Sequence, residues 1–184
     1  MQIDRVLFPI TTLGPGNRIA IWTIGCPHKC YNCSNPELWN TNENKDIKVS
    51  DLVSSLSNYR DKADGVTITG GDPFFQPAEL YKLLIELRKS AFEDILVYTG
   101  YSIKLLLKEY SEILSLIDVL IDEPYIDSLN NDVGIMGSSN QKVHILNKAL
   151  NDKYTGYETI RRSRQNFISN NHIISVGIPD KIWK

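Results

Sequence analysis

Short apolar runs and longer stretches with helical spacing take turns along this chain. Arg18-Ile19-Ala20-Ile21-Trp22-Thr23-Ile24 is almost continuously apolar over a strand's length, the mark of a strand covered on both faces. Asp64-Gly65-Val66-Thr67-Ile68-Thr69, Asp94-Ile95-Leu96-Val97-Tyr98 and Asp118-Val119-Leu120-Ile121-Asp122 have the same character. Between the first two of these runs, Leu52, Val53, Leu56 and Tyr59 recur at helical spacing behind Val49-Ser50-Asp51, with Ser50 as the candidate N-cap. Gln76-Pro77-Ala78-Glu79 opens a second helix, with proline early and an acid in the first turn, and Leu80, Leu83, Leu84 and Leu87 form its buried face. The leucine spacing predicts a third helix over 103–116, capped by Ser102. Val6-Leu7-Phe8 reads as an edge strand or a partner contact, and Ile173–Pro179 as one more strand.

Strands alternating with amphipathic helices imply parallel pairing through crossovers, and ligands in such sheets gather at the carboxyl ends of the strands. So few strand–helix units cannot close a ring. The expected fold is α/β, an open partial (β/α) barrel of mostly parallel strands, whose open side suits a macromolecular substrate.

Composition narrows the classes. The chain has 184 residues, which suits one domain over 1–184. A formal net charge of −2 leaves no electrostatic footprint for nucleic acid. No apolar run reaches bilayer length, and no basic-then-apolar segment opens the sequence, so a cytoplasmic protein without membrane contact is expected. Three cysteines, an odd number, argue against a secreted disulfide framework.

All three lie in Gly25-Cys26-Pro27-His28-Lys29-Cys30-Tyr31-Asn32-Cys33. Neither helical nor strand periodicity points Cys26, Cys30 and Cys33 the same way, but a loop wrapped around a metal centre does. Thiolates favour zinc, Cu(I) or iron–sulfur clusters. A structural zinc takes four ligands, usually as two separated pairs, and an electron-transfer ferredoxin supplies four cysteines per cluster. His28, set between Cys26 and Cys30, would have to double back to reach the same ion. Three thiolates on a 4Fe-4S cluster leave one iron open, which is how a metal site performs chemistry.

Three residues between the first two cysteines and two before the third resembles the cluster motif of the radical S-adenosylmethionine (SAM) superfamily. Further stretches resemble the glycyl-radical-enzyme activases within it, those of anaerobic ribonucleotide reductases above all: Gly14-Pro15-Gly16 with Arg18 before the first strand, Asn35-Pro36-Glu37-Leu38-Trp39 after the cysteines, Gly70-Gly71-Asp72-Pro73, Tyr98-Thr99-Gly100-Tyr101 and Gly137-Ser138-Ser139-Asn140-Gln141. The likeness covers about 14–146, leaving 147–184 as a C-terminal extension. Two departures stand out: Asp72 replaces the superfamily's glutamate, and Glu123 stands where activases usually have glycine. The resemblance implies a radical SAM fold and a 4Fe-4S cluster on Cys26, Cys30 and Cys33 whose open iron chelates SAM. It also implies SAM contacts from Gly70, Gly71, Asp72, Thr99, Ser138 and Asn140. The implied reaction is reductive SAM cleavage and formation of a glycyl radical on an anaerobic ribonucleotide reductase, with a flavodoxin-like or ferredoxin-like electron donor. The rivals are a radical SAM enzyme with another target and a zinc-binding module completed by an outside ligand.

Residue chemistry also supplies plainer readings. Thr99 and Gly100 suit a turn, His144 and His172 sit in apolar runs as core or edge histidines, and the arginine-rich stretch 157–164 suits a solvated helix face rather than a partner grip.

Overall fold

The computed structural model describes residues 1–169 and 172–181. A six-stranded sheet organises it: β1 (Ile3–Ile10), β2 (Arg18–Thr23), β3 (Gly65–Gly70), β4 (Ile95–Tyr98), β5 (Val119–Asp122) and β6 (Lys142–Ile145), side by side in chain order. The pairings from β2 through β5 are parallel. β1 and β6 close the two edges antiparallel. The architecture is α/β, mostly parallel and not closed, as the alternation implies. The Val6–Phe8 run proves to be an edge strand.

The continuous apolar runs follow from burial on both faces. Ile19, Ile21, Val66, Ile68, Ile95, Val97 and Leu120 face α1 (Val49–Leu56) and α2 (Pro77–Lys89). The alternate residues Ala20, Trp22, Leu96, Val119 and Ile121 point the other way, to the concave face. There they meet the end of the chain. A separate hairpin, β7 (Gln165–Ser169) with β8 (His172–Val176), lays Phe167, Ile174 and Val176 against Leu7, Ile10, Leu13 and Trp22. The described hairpin residues and Ile178 of the extension therefore cover the concave face of the sheet. Ile178, just beyond β8, packs against both the β2 side and the β4–β5 side of that face.

Three local expectations are corrected. α1 starts at Val49 with Lys48 in the cap position, so Ser50 lies inside the helix and caps nothing. The helix expected over 103–116 breaks at Tyr110 (φ −138°, ψ 35°) into α3 (Ile103–Glu109) and α4 (Ser111–Leu114). Tyr110 leaves the helical register where its ring packs on Phe74, 5.7 Å between centroids. The stretch 157–164 is not helical, and its Arg162 side chain is only 3 % exposed. The guanidinium donates to the carbonyls of Met136, Gly137 and Pro179 and to Asn130 Oδ1, stitching the strap after β8 to the loop before β6. His144 sits in β6 with Nε2 2.9 Å from Asp122 Oδ1, an edge histidine. His172 lies in β8, and its side chain falls outside the described residues.

At the floor of the sheet, the amino ends of the strands are locked by Arg18, which has no exposed surface. Its guanidinium donates to Thr67 Oγ1, to the carbonyls of Pro15, Val66 and Asp94, and to both carboxylate oxygens of Asp94. Lys153 and Tyr154 complete the set around Asp94. Gly14 is glycine because a methyl there would lie 2.9 Å from Arg18 Cδ, at a φ of +125°. The glycine–proline–arginine approach to β2 thus builds a foundation, remote from the rim.

Candidate functional site

The opposite ends of the strands carry the site. β2 leads through Ile24 and Gly25 into the cysteine loop, and β3 ends in Gly70-Gly71-Asp72 beside it. The two strand ends are laced together: Gly71 N donates to Thr23 O and Asp72 N to Gly25 O, each at 2.8 Å. Gly71 is needed for this crossing, since a methyl would stand 2.3 Å from the Gly25 carbonyl oxygen. The loop is anchored from behind by Gly25 N to Leu38 O (2.8 Å) and Cys26 N to Trp39 O (3.0 Å). The Asn35–Trp39 stretch therefore braces the cysteine loop.

All three thiols are free and half-buried. They share a cavity of ≈ 250 Å³ with Thr69–Asp72, Tyr98–Gly100, Glu123–Tyr125, Gly137 and Gln141. Its far wall is Ser175–Pro179 of the extension. Burial pushes the Cys26 thiol up, while the backbone N–H groups of His28 and Lys29 pull the other way. Cys30 is pushed up by burial too, against a backbone N–H from Tyr125. These donors would be aimed at sulfur made anionic by a metal. Three free thiols facing one cavity are a soft donor set of the kind that takes an iron–sulfur cluster, one sulfur to an iron. The donor set therefore fits the group that the sequence motif implies. Of the residues lining the cavity, Arg5 brings a buried Nε without a protein partner, and its guanidinium carbon lies 5.0 Å from the Trp22 ring centroid.

The other expected contacts divide. Gly70, Gly71, Asp72 and Thr99 line the cavity. The Asp72 carboxylate, however, is 1 % exposed and accepts from Phe74 N, Gly100 N, Thr99 Oγ1 and His28 Nε2. Ser138 and Asn140 do not line it. The Ser138 hydroxyl has no exposed surface; it donates to Asn140 Oδ1 and accepts from Ile126 N, while Asn140 Nδ2 donates to the Pro124 carbonyl. Gly137 and Gln141 face the cavity from this segment instead, and Gln141 Oε1 accepts from the amides of Gly137 and Ser138. The stretch is a self-bonded knot that shapes the rim. Sequence reasoning missed His28 as a partner of Asp72, and it missed the strap at Ser175–Pro179. For the strap, no local pattern reveals which face it covers.

The family description "4Fe-4S single cluster domain" matches residues 12–144. The chain belongs to that family. Over 140 residues this member is 32% identical to the anaerobic ribonucleoside-triphosphate reductase-activating protein of Escherichia coli (strain K12), covering 72% of this chain and 91% of that one. The protein of the same description from Enterobacteria phage T4 is 33% identical over 148 residues, 78% of this chain and 93% of its own. The pyruvate formate-lyase-activating enzyme of Staphylococcus aureus (strain USA300) is 31% identical over 148 residues, covering 76% of this chain and 58% of that enzyme. By sequence this member of the 4Fe-4S family therefore groups with the activating proteins. The family match ends at residue 144, so the hairpin and strap lie outside it. No helix of the described residues is long and apolar enough to cross a membrane.

Proposed function

We propose that this chain generates the glycyl radical of an anaerobic ribonucleotide reductase. It does so with SAM bound to a 4Fe-4S cluster on Cys26, Cys30 and Cys33. The observation that carries the reading is the meeting of the three thiols with the Gly70–Asp72 strand end on one cavity at the carboxyl ends of β2 and β3. The relatives named for reductase activation support the choice of partner. When bound and reduced, the cluster with SAM supplies a 5′-deoxyadenosyl radical that takes a hydrogen atom from a glycine backbone.

The chain's own residues do the holding. Cys26, Cys30 and Cys33 would hold the cluster and leave one iron open for SAM. Gly70 and Gly71 line the same cavity, where their backbone would meet the bound cofactor. Arg5 lines the same cavity with its guanidinium paired to Asp4 through Nη1, and its unpartnered Nε–H is left for an acceptor on the bound molecule. Half-burial of the thiols and the strap opposite keep bulk water from the reacting centre. A cytoplasmic setting and a one-electron donor of flavodoxin or ferredoxin type complete the proposal.

The test is anaerobic reconstitution with iron and sulfide, then reduction with SAM and the purified reductase. The expected products are 5′-deoxyadenosine and a glycyl radical signal in the reductase, both abolished by Cys30→Ala. A colourless product holding one tight zinc would overturn the cluster. SAM cleavage with no glycyl signal in the reductase would move the chain to another substrate.

A further inference from the structure

We propose that His28 is a positioning residue that holds the cysteine loop in its cluster-ready shape through Asp72, before any iron arrives. This rests on the cluster reading above only for its purpose, since the contact itself belongs to the cluster-free chain. His28 Nε2 donates to Asp72 Oδ2 at 2.9 Å. Asp72 is a hub: its Oδ1 accepts from Phe74 N at 2.9 Å, its Oδ2 from Gly100 N at 2.8 Å, and Thr99 Oγ1 lies 3.0 and 3.1 Å from the two oxygens. One buried carboxylate therefore joins the end of β3, the end of β4 and, through His28, the middle of the cysteine loop. Those three segments form the wall that the thiols share.

The imidazole is gripped on other sides as well. It sits directly on Gly100, where a methyl would come within 2.5 Å of its Cδ2, and it stands edge-on to Tyr101, with centroids 4.7 Å apart at 73°. Glycine at position 100 is thus explained by the ring. The loop needs such a hold. Lys29 (φ 46°) and Asn32 (φ 54°) are both left-handed without being glycine, a conformation that persists only where the surroundings impose it. The amides of His28 and Lys29 face the Cys26 sulfur, so a ring displaced from Asp72 carries the Cys26 environment with it. The short aspartate matters in the same way. Its carboxylate also caps the turn at Pro73–Phe75, and a glutamate would push the acceptor a methylene further into the space of the ring.

The experiment compares wild type, His28→Phe and His28→Gln, first without metal under reducing conditions. Phenylalanine keeps the ring but loses the donor; glutamine keeps an N–H at similar reach. Hydrogen exchange at amides 28–33 and alkylation rates of Cys26 and Cys30 should rise about tenfold or more in His28→Phe, corresponding to at least ~1.4 kcal/mol. Exchange in β2 to β5 should stay unchanged, and His28→Gln should return most of the loop's protection. After reconstitution, His28→Phe should bind less iron per chain and give a broadened cluster signal on SAM addition, again rescued by glutamine. Unchanged loop exchange in His28→Phe, or loss of protection equal in His28→Gln, would overturn the proposal. If wild type takes up no cluster while the loop result holds, the functional reading fails and the positioning contact stands.

Discussion

Single residues settle several doubts that the sequence raises. Glu123, where activases usually carry glycine, has φ 74°, so the backbone keeps the left-handed shape and the side chain bears the strain. Its carbonyl accepts from Gln141 Nε2 at 2.8 Å, which holds the loop in that shape. Glu123→Gly should therefore stabilise the protein by about 0.5–1 kcal/mol, the left-handed penalty of roughly 1–2 kcal/mol less the entropy that glycine gains when unfolded, read from denaturant midpoints. At the floor, burial would raise the Asp94 carboxyl, but the bonds and charge of Arg18, with Lys153 and Tyr154, outweigh it and hold it below its ordinary 3.8. The sign follows from linkage. A depressed carboxyl contributes stability above the unfolded value and loses it as pH falls through the folded one, so wild type should weaken below about 3.9. Asp94→Asn leaves a buried guanidinium without its counter-charge and should cost about 3–5 kcal/mol near neutrality. Its acid-unfolding curve should lack that part of the slope. That the cysteines and the paired glycines share one cavity was legible because their chemistry has few other uses. That Ser138 and Asn140 lie off it was not, because donors in a turn that bond one another carry the same letters as donors that meet a ligand.

Among the elements, β2 to β5 were read to within about a residue, since runs buried on both faces leave little freedom of assignment. β6 and β7 were not read as strands, and the last strand ends at Val176, short of Pro179. Helix ends were harder. Ser50 and Ser102 look alike before their helices, yet only Ser102 accepts from the third residue along, Leu105 N, at 3.3 Å. Ser102→Ala should cost about 1 kcal/mol, whereas Ser50→Ala, an exposed site inside α1, should fall within about 0.5 kcal/mol of wild type or slightly above it. Paired thermal melts decide this, and equal losses in both would return the cap to Ser50. The break at Tyr110 had no local cause to read, because leucine spacing continues through it; the ring's partner, Phe74, comes from another part of the chain.

At the scale of the molecule, the sequence placed the sites on one rim, because parallel strands deliver their carboxyl ends together. The Gly137–Gln141 segment joins them for a different reason: β6 runs antiparallel, and its first residue, Lys142, pairs with Asp122 at the end of β5. What the sequence concealed is the covering of the concave face. Ile173, Ile174, Val176 and Ile178 form one apolar stretch, but Ile173 is 71% exposed while Val176 is 4% exposed, and only the tertiary fold separates them. Ile178 holds the strap at its crossing point, packed against the cluster that contains Leu13 and Trp22 on one side and the cluster that contains Ile121 and Ile135 on the other. Beyond it, the Pro179 carbonyl accepts from Asn130 Nδ2 at 3.2 Å and Arg162 Nη1 at 3.1 Å. Ile178→Ala should then loosen two places far apart in sequence, the strap 174–179 and the amides of Ile135 and Met136, in one hydrogen-exchange experiment. Because Ile178 is only partly buried, the stability loss should sit near the low end for such truncations, about 2 kcal/mol. Ile168→Ala, at an 82% exposed site on the outer face of the same hairpin, should change stability by no more than about 0.5 kcal/mol. Equal effects from the two isoleucines, or faster exchange confined to the strap, would mean that the extension rests on the sheet without closing it.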